Sequence, residues 1–519
     1  MSPADPAGTI AAQNDATARI QGPSSSLTGL RAVVAGLGVS GFPCAVHLAE
    51  RGAEVIVVDA DETRDLSDRI SLLEVLGAQV RRGPDTVRAL PEFGEPGAAD
   101  LLIVSQGWRP DSPLVQEAFT RGIPVWGEVE LAWHVRGADA APWLVVTGTN
   151  GKTTVTGMLE SMVSAAGLRT RACGNIGAPL LEAVLDDSLE VLCIELASFQ
   201  LHWQRSMSAH AAVCLNLDDD HLDWHGGREG YAEDKARAYE HVQNACVYNR
   251  HDEATLRMVE QADVVAGARA IGFSTGAPRV GELGVIEDLL VDRAYLPNRH
   301  KAAAELGSLE DVAQAAGMPG QAPPLHQIAN ALAAAALARS IGVPAGAVRD
   351  GLRAYRPGAH RLETVAEADG VRWVNDSKAT NPHAADASLG SFDSIVWIAG
   401  GLAKGARYAD LIRRHADRIK AVVLIGADPA PLRDGIAEAG LDVPVARIEH
   451  VAGPAVMDAA VQRAAELAAA GDTVLLAPAA ASMDQFRDYA QRGEEFQRAV
   501  HARRRGGDPH EPHDPLGGG

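Results

Sequence analysis

Residues 147–154 read TGTNGKTT, a run whose glycines, lysine and threonines are of the types that hold a phosphate chain. The widespread form of such a loop is G-x-x-x-x-G-K-[ST]. Here the position five before Gly151 is Val146, so the outer glycine is missing. The placement is still that of a phosphate loop. An apolar run, WLVV (143–146), precedes it, and a helical pattern, TVTGMLESMVSAAG (154–167), follows it. Gly148 and Gly151 let successive N–H groups, those of Thr149 and Asn150 among them, turn towards an anion. Lys152 can reach the terminal phosphates. The Thr153 hydroxyl can ligate the Mg²⁺ that accompanies a triphosphate, and Thr154 opens the helix. Together these residues point to ATP.

A triphosphate with its metal calls for acids nearby. Glu195 lies in the apolar strand pattern VLCIELASFQ (191–200), where a carboxylate is costly to bury unless it is paired or binds a cation. A metal ligand and a structural ion pair are both open at this point. DDDHLDWH (218–225) ends a further apolar run, AAVCLNL (211–217), at a strand edge where α/β proteins collect ligands. It is either a solvated acidic loop or a metal-facing one, with the neutral imidazole of His221 as ligand. A second glycine turn, GLGVSG (36–41), follows the strand pattern at 31–35 and precedes Asp59 at the end of EVIVVD (54–59). That fits a dinucleotide fingerprint, and also a tight strand–helix turn with no ligand. Lys378 in WVNDSKATNP and Lys404 in GGLAKG both follow apolar runs. Two lysines at strand ends of one region suggest an anionic substrate, although either alone reads as a surface residue.

The elements that must carry these residues alternate between short apolar β-branched runs and Ala/Leu-rich helical segments, the pattern of parallel α/β sheets. They fall into three groups. The first holds 31–38, 54–59 and 101–107. After a break at RGADAAP (136–142), the second holds 143–148, 191–197, 211–217 and 245–249, closing on NALAAAALARSI (330–341). The third, beyond YRPGAHRLE (355–363), holds 371–376, 394–401, 420–426 and 473–479. Residues 265–322 show little periodicity. With 519 residues, three domains of about 150 each are expected. The charge of −21 argues against general nucleic-acid or anionic-membrane binding, since both favour a surplus of Lys and Arg. Five cysteines without a C-x-x-C pair read as buried free thiols. No basic-then-apolar leader opens the sequence, and no apolar run is long enough to span a membrane. A cytoplasmic protein is expected.

Read together, the motifs resemble the Mur ligase family, ATP-dependent amide-forming enzymes of peptidoglycan synthesis. The segments that carry the resemblance are GTNGKTT, GNIG (174–177), ELASFQL (195–201), N-x-x-x-D-H-x-D (216–223), AHRLE (359–363), NDSKATN (375–381) and APAAASMDQF (477–486). They extend over about residues 31–503. GTNGKTT is this family's own short loop. NDSKATN, SMDQF and QRG (491–493) are similar to the branch that adds D-glutamate to UDP-N-acetylmuramoyl-L-alanine, and the D-N-P-R signature of the meso-diaminopimelate-adding branch is missing.

The resemblance implies an α/β fold of three domains in series. These are a Rossmann-like N-terminal domain (28–140), a central P-loop ATPase-type domain (141–356) and a Rossmann-like C-terminal domain (357–505). The polar, Gly/Pro/Ser-rich stretches 1–27 and 506–519 read from their composition as disordered tails. The resemblance implies that Val39, Ser40 and Ser105 hold the UDP end of the substrate and that Asn175 meets its muramoyl-alanine part. Lys152 and Thr153 would serve the phosphates and Mg²⁺, Glu195 one metal ion and His221 a second. Lys235 of EDKARAY would be carbamylated and would also bind metal, making Lys152, His221 and Lys235 the catalytic group. Asn330, Arg361 and Asp376 match ATP contacts. Lys378, Thr380, Lys404, Ser482 and Tyr489 match the region that receives D-glutamate. A monomer is expected. The chain departs from the family at Ala60-Asp61, at Gln106 (Ser-Gln-Gly for S-P-G), at Ala197 (for a serine), at Gln327 (for an adenine-contacting asparagine) and at Tyr489 (for a phenylalanine). Competing readings are a NAD-dependent dehydrogenase, which GLGVSG alone suggests, an ATP-driven switch without catalysis, and another Mur ligase or folylpolyglutamate synthase-like enzyme.

Overall fold

The structure is a computed structural model that describes residues 17–94, 97–358, 360–449 and 453–506. Three sheets of mostly parallel strands follow one another along the chain. The chain divides into two compact units. One holds the residues up to Ala315 and Gly320–Tyr355, and the other holds Ala316–Pro319 and the chain from Arg356.

The first sheet contains β1 (Arg31–Ala35), β2 (Glu54–Asp59), β3 (Gln79–Arg82), β4 (Leu101–Val104) and β5 (Val125–Gly127), in the order β3-β2-β1-β4-β5 with every pair parallel. β1 and β4 are covered on both faces, which is why RAVVA and LLIV are apolar without alternation. The strand order reverses between β1 and β4, so their C-terminal ends frame a crevice. Gly36 closes it. Its φ is +100°, and a Cβ there would lie 2.1 Å from Ser105 Oγ, so only glycine fits between the strand ends.

The expected disordered tail is corrected over residues 17–27. Thr17–Arg19 form a 3₁₀ turn, Ile20 and Leu27 are each 1% exposed, and Leu27 N–H donates to Arg51 O at 2.8 Å. Two apolar anchors in a polar stretch are enough to dock it against the first domain. Residues 1–16 and 507–519 of the expected tails lie outside the described residues, and Gly506 ends the helix Tyr489–Gly506.

The second sheet contains β6 (Trp143–Thr147), β7 (Thr170–Gly174), β8 (Val191–Glu195), β9 (Ala211–Cys214), β10 (Ala245–Asn249), β11 (Arg269–Phe273), β12 (Glu282–Ile286), β13 (Leu289–Asp292) and β14 (Ala304–Ser308). Its order is β14-β13-β12-β11-β10-β9-β6-β8-β7. β6 runs between β8 and β9, parallel to both. The weakly patterned stretch 265–322 supplies β11–β14. The pairs β12–β13 and β13–β14 are antiparallel, and a bulge at Leu290/Val291 breaks their alternation. The Ala-rich helix Leu325–Ser340 packs against β9–β11 and against the helix Lys152–Ala165 that leaves the glycine loop.

The other unit carries β15 (Glu363–Ala368), β16 (Val371–Asn375), β17 (Ile395–Gly400), β18 (Ile419–Ile425), β19 (Val445–Arg447) and β20 (Thr473–Leu476), in the order β15-β16-β20-β17-β18-β19. All pairs are parallel except β15–β16. β20 separates β16 from β17, so the C-terminal ends of these three strands gather at the place where an open α/β sheet takes a ligand. All five cysteines are buried and free. Among the described residues no helix is long and apolar enough to cross a membrane.

The helix Ala345–Ala354 crosses Lys152–Ala165 at a glycine: a Cβ on Gly351 would meet Met162 Cα at 2.4 Å. Gly351→Ala is therefore predicted to lower the unfolding free energy by roughly 1–3 kcal/mol through overpacking against backbone. Denaturant titration of the full chain measures this.

Candidate active site

Val146 occupies the position of the missing outer glycine, and it is an interior strand residue. It is fully buried in β6, with Glu195 and Val213 as its register partners on β8 and β9. The strand therefore continues one residue beyond it, and the loop that follows is short. Gly148 (φ +144°) and Gly151 (φ +85°, at the N-terminus of the helix Lys152–Ala165) adopt left-handed conformations. A Cβ on Gly151 would lie 2.6 Å from Asn330 Oδ1, so the fold brings Asn330 against the loop. The loop is also braced from the end of β9. Asn216 accepts from Asn150 N–H at 2.9 Å and donates to Asn150 O at 3.2 Å. Thr149 Oγ1 accepts from Asp218 N–H at 3.0 Å and lies 3.1 Å from Tyr231 OH. Thr153 and Thr154 occupy the first turn of the helix.

Two amines converge on one oxygen of this loop. Lys152 Nζ donates to Gly148 O and Thr149 O, both at 2.9 Å, and Lys235 Nζ donates to Gly148 O at 2.8 Å. Lys235 is 1% exposed and sits 4.7 Å from the centre of the Tyr231 ring. Burial, reinforced by the like charge of Lys152, pushes the Lys235 amine down to about 7.

Glu195, 1% exposed at the end of β8, accepts from Asn175 Nδ2 at 2.7 Å through Oε1. Its Oε2 is buried and accepts no hydrogen bond among the described residues. A buried carboxylate oxygen without a donor is costly unless a cation meets it, so the donor set suits a hard divalent ion. His221 is held at φ +52° before the helix Leu222–His225, packs edge-on against Phe199 at 4.8 Å, and has its Nε2 3.5 Å from Asp220 Oδ1. Lys152, Asn175, His221 and Lys235 all face one cleft of about 240 Å³. Among the described residues no three His, Cys, Asp or Glu side chains form a ready-made metal cage. A cation here would therefore draw on Glu195, the Thr153 hydroxyl, His221 and phosphate oxygens.

A buried network behind this cleft was not evident from the sequence. Asp234 accepts from His202 Nδ1 at 2.9 Å and from His225 Nδ1 at 2.7 Å, and Arg237 lies 3.2 Å away. Burial pushes the Asp234 carboxyl up, but the two histidines outweigh it and hold the group below its usual range. His225 Nε2 in turn contacts Ser198 Oγ at 3.0 Å, and Ser198 lines the cleft. Asp234 directly precedes Lys235, so the network fixes the start of the turn that aims the lysine. The two histidines lie 9 and 32 residues from Asp234 in sequence, and only the fold brings them to it.

At the first sheet's crevice, Val39 is 63% exposed and Ser40 precedes the helix Gly41–Glu50. Asp59 accepts from Leu37 N–H at 2.7 Å and from Asp61 N–H at 2.9 Å. The carboxylate of the apparent dinucleotide fingerprint thus ties down its own glycine turn. Gln106 N–H donates to Ser40 Oγ at 3.3 Å, joining the turn to the loop after β4.

In the other unit, Asp376 is buried after β16 and accepts from Leu362 N–H at 3.3 Å and from Ser388 Oγ. Burial raises its carboxyl, with Ser388 and the charge of Arg361 opposing. Lys378 Nζ donates to Tyr489 OH at 3.1 Å, so the hydroxyl that distinguishes Tyr489 from phenylalanine is in use. Thr380 N–H donates to Lys378 O at 2.8 Å, Lys404 sits at φ +49° after β17, and Ser482 is 4% exposed after β20. Buried Arg492 donates to Ser377 O at 2.7 Å and to Ala480 O at 3.1 Å, bracing the ends of β16 and β20. The expected amino-acid residues therefore lie on the loops at the C-terminal ends of β16, β17 and β20 and at the start of the last helix.

Three family models match this chain in order: the Mur ligase MurD-like N-terminal domain over residues 30–127, the Mur ligase middle domain over 146–338, and the Mur ligase glutamate ligase domain over 360–480. A UDP-N-acetylmuramoylalanine–D-glutamate ligase of Streptomyces avermitilis is 53% identical, covering 91% of this chain and 98% of its own. The protein of the same name from Thermobifida fusca is 48% identical over 92% of this chain and 99% of its own. The chain belongs to the Mur ligase family. Among solved structures, UDP-N-acetylmuramate-alanine ligase from Thermotoga maritima matches with a TM-score of 0.52 at 16% identity, covering 92% of this chain and 99% of that one. A pseudomurein peptide ligase from Methanothermus fervidus matches at 0.53 and 16%, covering 91% and 100%. These two share the fold. The family is one of ligases, and the NAD-dependent dehydrogenase reading is set aside.

Asn216→Ala would strip both hydrogen bonds from the Asn150 backbone. It is predicted to weaken ATP binding about tenfold or more and to cost about 1–3 kcal/mol of stability. Calorimetric titration with nucleotide and thermal unfolding read the two effects separately.

Proposed function

We propose that this chain is the ATP-dependent ligase that adds D-glutamate to UDP-N-acetylmuramoyl-L-alanine, working as a monomer in the cytoplasm. The observation that carries the reading is the convergence of Lys152, Lys235, His221 and Asn175 on one cleft, with Glu195 hydrogen-bonded to Asn175 beside it. It occurs in a chain whose curated relatives bear that reaction's name over nearly their full length. Residues 28–140 hold the UDP end at Val39, Ser40 and Ser105. Residues 141–356 hold ATP through the 148–154 loop and Asn330, and residues 357–505 supply Arg361 and Asp376. The amino acid is received by Lys378, Thr380, Lys404, Ser482 and Tyr489.

A carboxylate reacts with an amine at a useful rate only once one of its oxygens has become a good leaving group. The L-alanyl carboxylate attacks the γ-phosphorus of ATP, giving an acyl phosphate and ADP. The amine of D-glutamate then attacks the acyl carbon, and the tetrahedral intermediate expels phosphate. Several anions must approach one another in this sequence, and Lys152 is the protein's cation for them. Two Mg²⁺ ions, when bound, would offset the remaining phosphate and carboxylate charge. Glu195 Oε2, Thr153, His221 and a carbamylated Lys235 would hold them. The amine of Lys235 is suited to that modification because its lowered pKa leaves it substantially neutral near pH 7. Neutral R–NH₂ adds CO₂ to give R–NHCOO⁻ and a proton.

Phosphate release with UDP-N-acetylmuramoyl-L-alanine and a panel of amino acids tests the assignment. Strict dependence on D-glutamate is expected, and Lys152→Ala should abolish release while the chain stays folded. Equal turnover with other amino acids, or near-normal turnover by Lys152→Ala, would overturn it.

The carbamate is tested on the ligand-free protein with ¹³C-labelled bicarbonate. Because burial depresses the Lys235 pKa, the reactive neutral amine dominates above pH 7 and falls about tenfold per unit below it. At fixed dissolved CO₂, a carbamate carbon signal should therefore grow from pH 6 to 8 and be lost in Lys235→Ala. Full activity of Lys235→Ala with and without bicarbonate would contradict the role.

A further inference from the structure

Gln106 interrupts the family's Ser-Pro-Gly pattern in the loop after β4, and its side chain reaches the cleft. Its Nε2 donates to Asn175 Oδ1 at 2.6 Å, and Asn175 Nδ2 donates to Glu195 Oε1 at 2.7 Å. The backbone repeats the connection, with Asn175 N–H donating to Glu195 O at 2.8 Å. The direction of the chain follows from chemistry. An ionised carboxylate only accepts, so Asn175 must turn its NH₂ towards Glu195. Its oxygen then faces the first domain, where only a donor can meet it. The Gln106 amide is that donor, and Gln106 N–H also reaches Ser40 Oγ at 3.3 Å. Proline at this position would supply neither hydrogen bond.

Other contacts hold the same loop in place. Trp224 Nε1 donates to Gly107 O at 3.4 Å, and Arg109 Nη2 donates to Asp223 O at 2.9 Å. These fix where the loop lies, but neither selects which way the Asn175 amide faces.

We infer that Gln106 is a positioning residue of the ligase reaction. It locks Asn175 in the orientation that engages Glu195 Oε1, leaves the buried Oε2 without a hydrogen bond, and ties this arrangement to the Ser40 turn. The inference rests on the substrate reading given under Proposed function, since Asn175 and Ser40 are the residues assigned there to the nucleotide sugar.

The test is a double-mutant cycle on the full chain, with UDP-N-acetylmuramoyl-L-alanine affinity measured by calorimetry without ATP. Gln106→Met keeps the length of the side chain and removes the donor. It is expected to weaken binding about tenfold in the native background, on the scale of one lost hydrogen bond to a polar group. In the Asn175→Ala background the same change should alter affinity less than about twofold. Gln106→Glu, which can only accept, should weaken binding more than Gln106→Met because it turns the Asn175 amide over. Equal effects of Gln106→Met in both backgrounds, or native affinity in Gln106→Glu, would overturn the inference. Native protein that fails to bind the nucleotide sugar would overturn the substrate reading instead. The bridge would then be decided by the same cycle on the thermal midpoint of the ligand-free chain, where additive losses contradict it and non-additive losses support it.

Discussion

The carbonyl oxygen of Gly148 accepts hydrogen bonds from two amines, those of Lys152 and Lys235. This shared acceptor is the constraint around which the first unit is arranged. Two ammonium groups held on one oxygen repel each other, and one of them is almost wholly removed from water. The fold relieves the conflict by lowering the pKa of the buried amine, with the face of Tyr231 beside it. A lysine in that condition is poor as a permanent cation and well suited to become an anion by adding CO₂. The loop glycine, the buried Lys235 turn and the Asp234 network behind it thus form one electrostatic arrangement, which suits the triphosphate, carboxylate and metal ions of the proposed reaction.

The strand register explains the shape of the loop. Val146 faces Glu195 across β6 and β8, so extending β6 to Thr147 sets the phosphate loop level with the end of β8. An outer glycine would stand inside the sheet, where a β-branched side chain packs better. The missing glycine and the buried acid are two consequences of the same pairing.

Much of this was legible in the sequence, and for identifiable reasons. TGTNGKTT and the 218–225 segment each follow an apolar strand pattern and Glu195 stands within one, so periodicity placed the first two at strand ends and the third in a strand. The alternation of strands and helices likewise foretold three parallel sheets. What stayed hidden depends on long-range geometry. His202, His225 and Ser198 meet around Asp234 only after the helices Ser198–His202 and Arg228–Ala236 pack together. Residues 17–27 looked disordered because Gly, Ser and Pro mask Ile20 and Leu27, two buried anchors too far apart to show a period. Residues 265–322 lacked pattern because their strands are short, partly antiparallel and bulged. The departures from the family pattern at Gln106 and Tyr489 both place a hydrogen-bonding group on a residue expected to meet substrate, Asn175 and Lys378 respectively.

The central claim is that this site converts a carboxylate oxygen into a phosphate leaving group. The most direct measurement follows that oxygen, using UDP-N-acetylmuramoyl-L-alanine labelled with ¹⁸O in its terminal carboxylate, ATP and D-glutamate. Carboxylate attack on the γ-phosphorus followed by expulsion of phosphate requires one ¹⁸O atom to appear in each inorganic phosphate released, with the other retained in the new amide. Inorganic phosphate free of the label, formed alongside the amide product, would contradict the account.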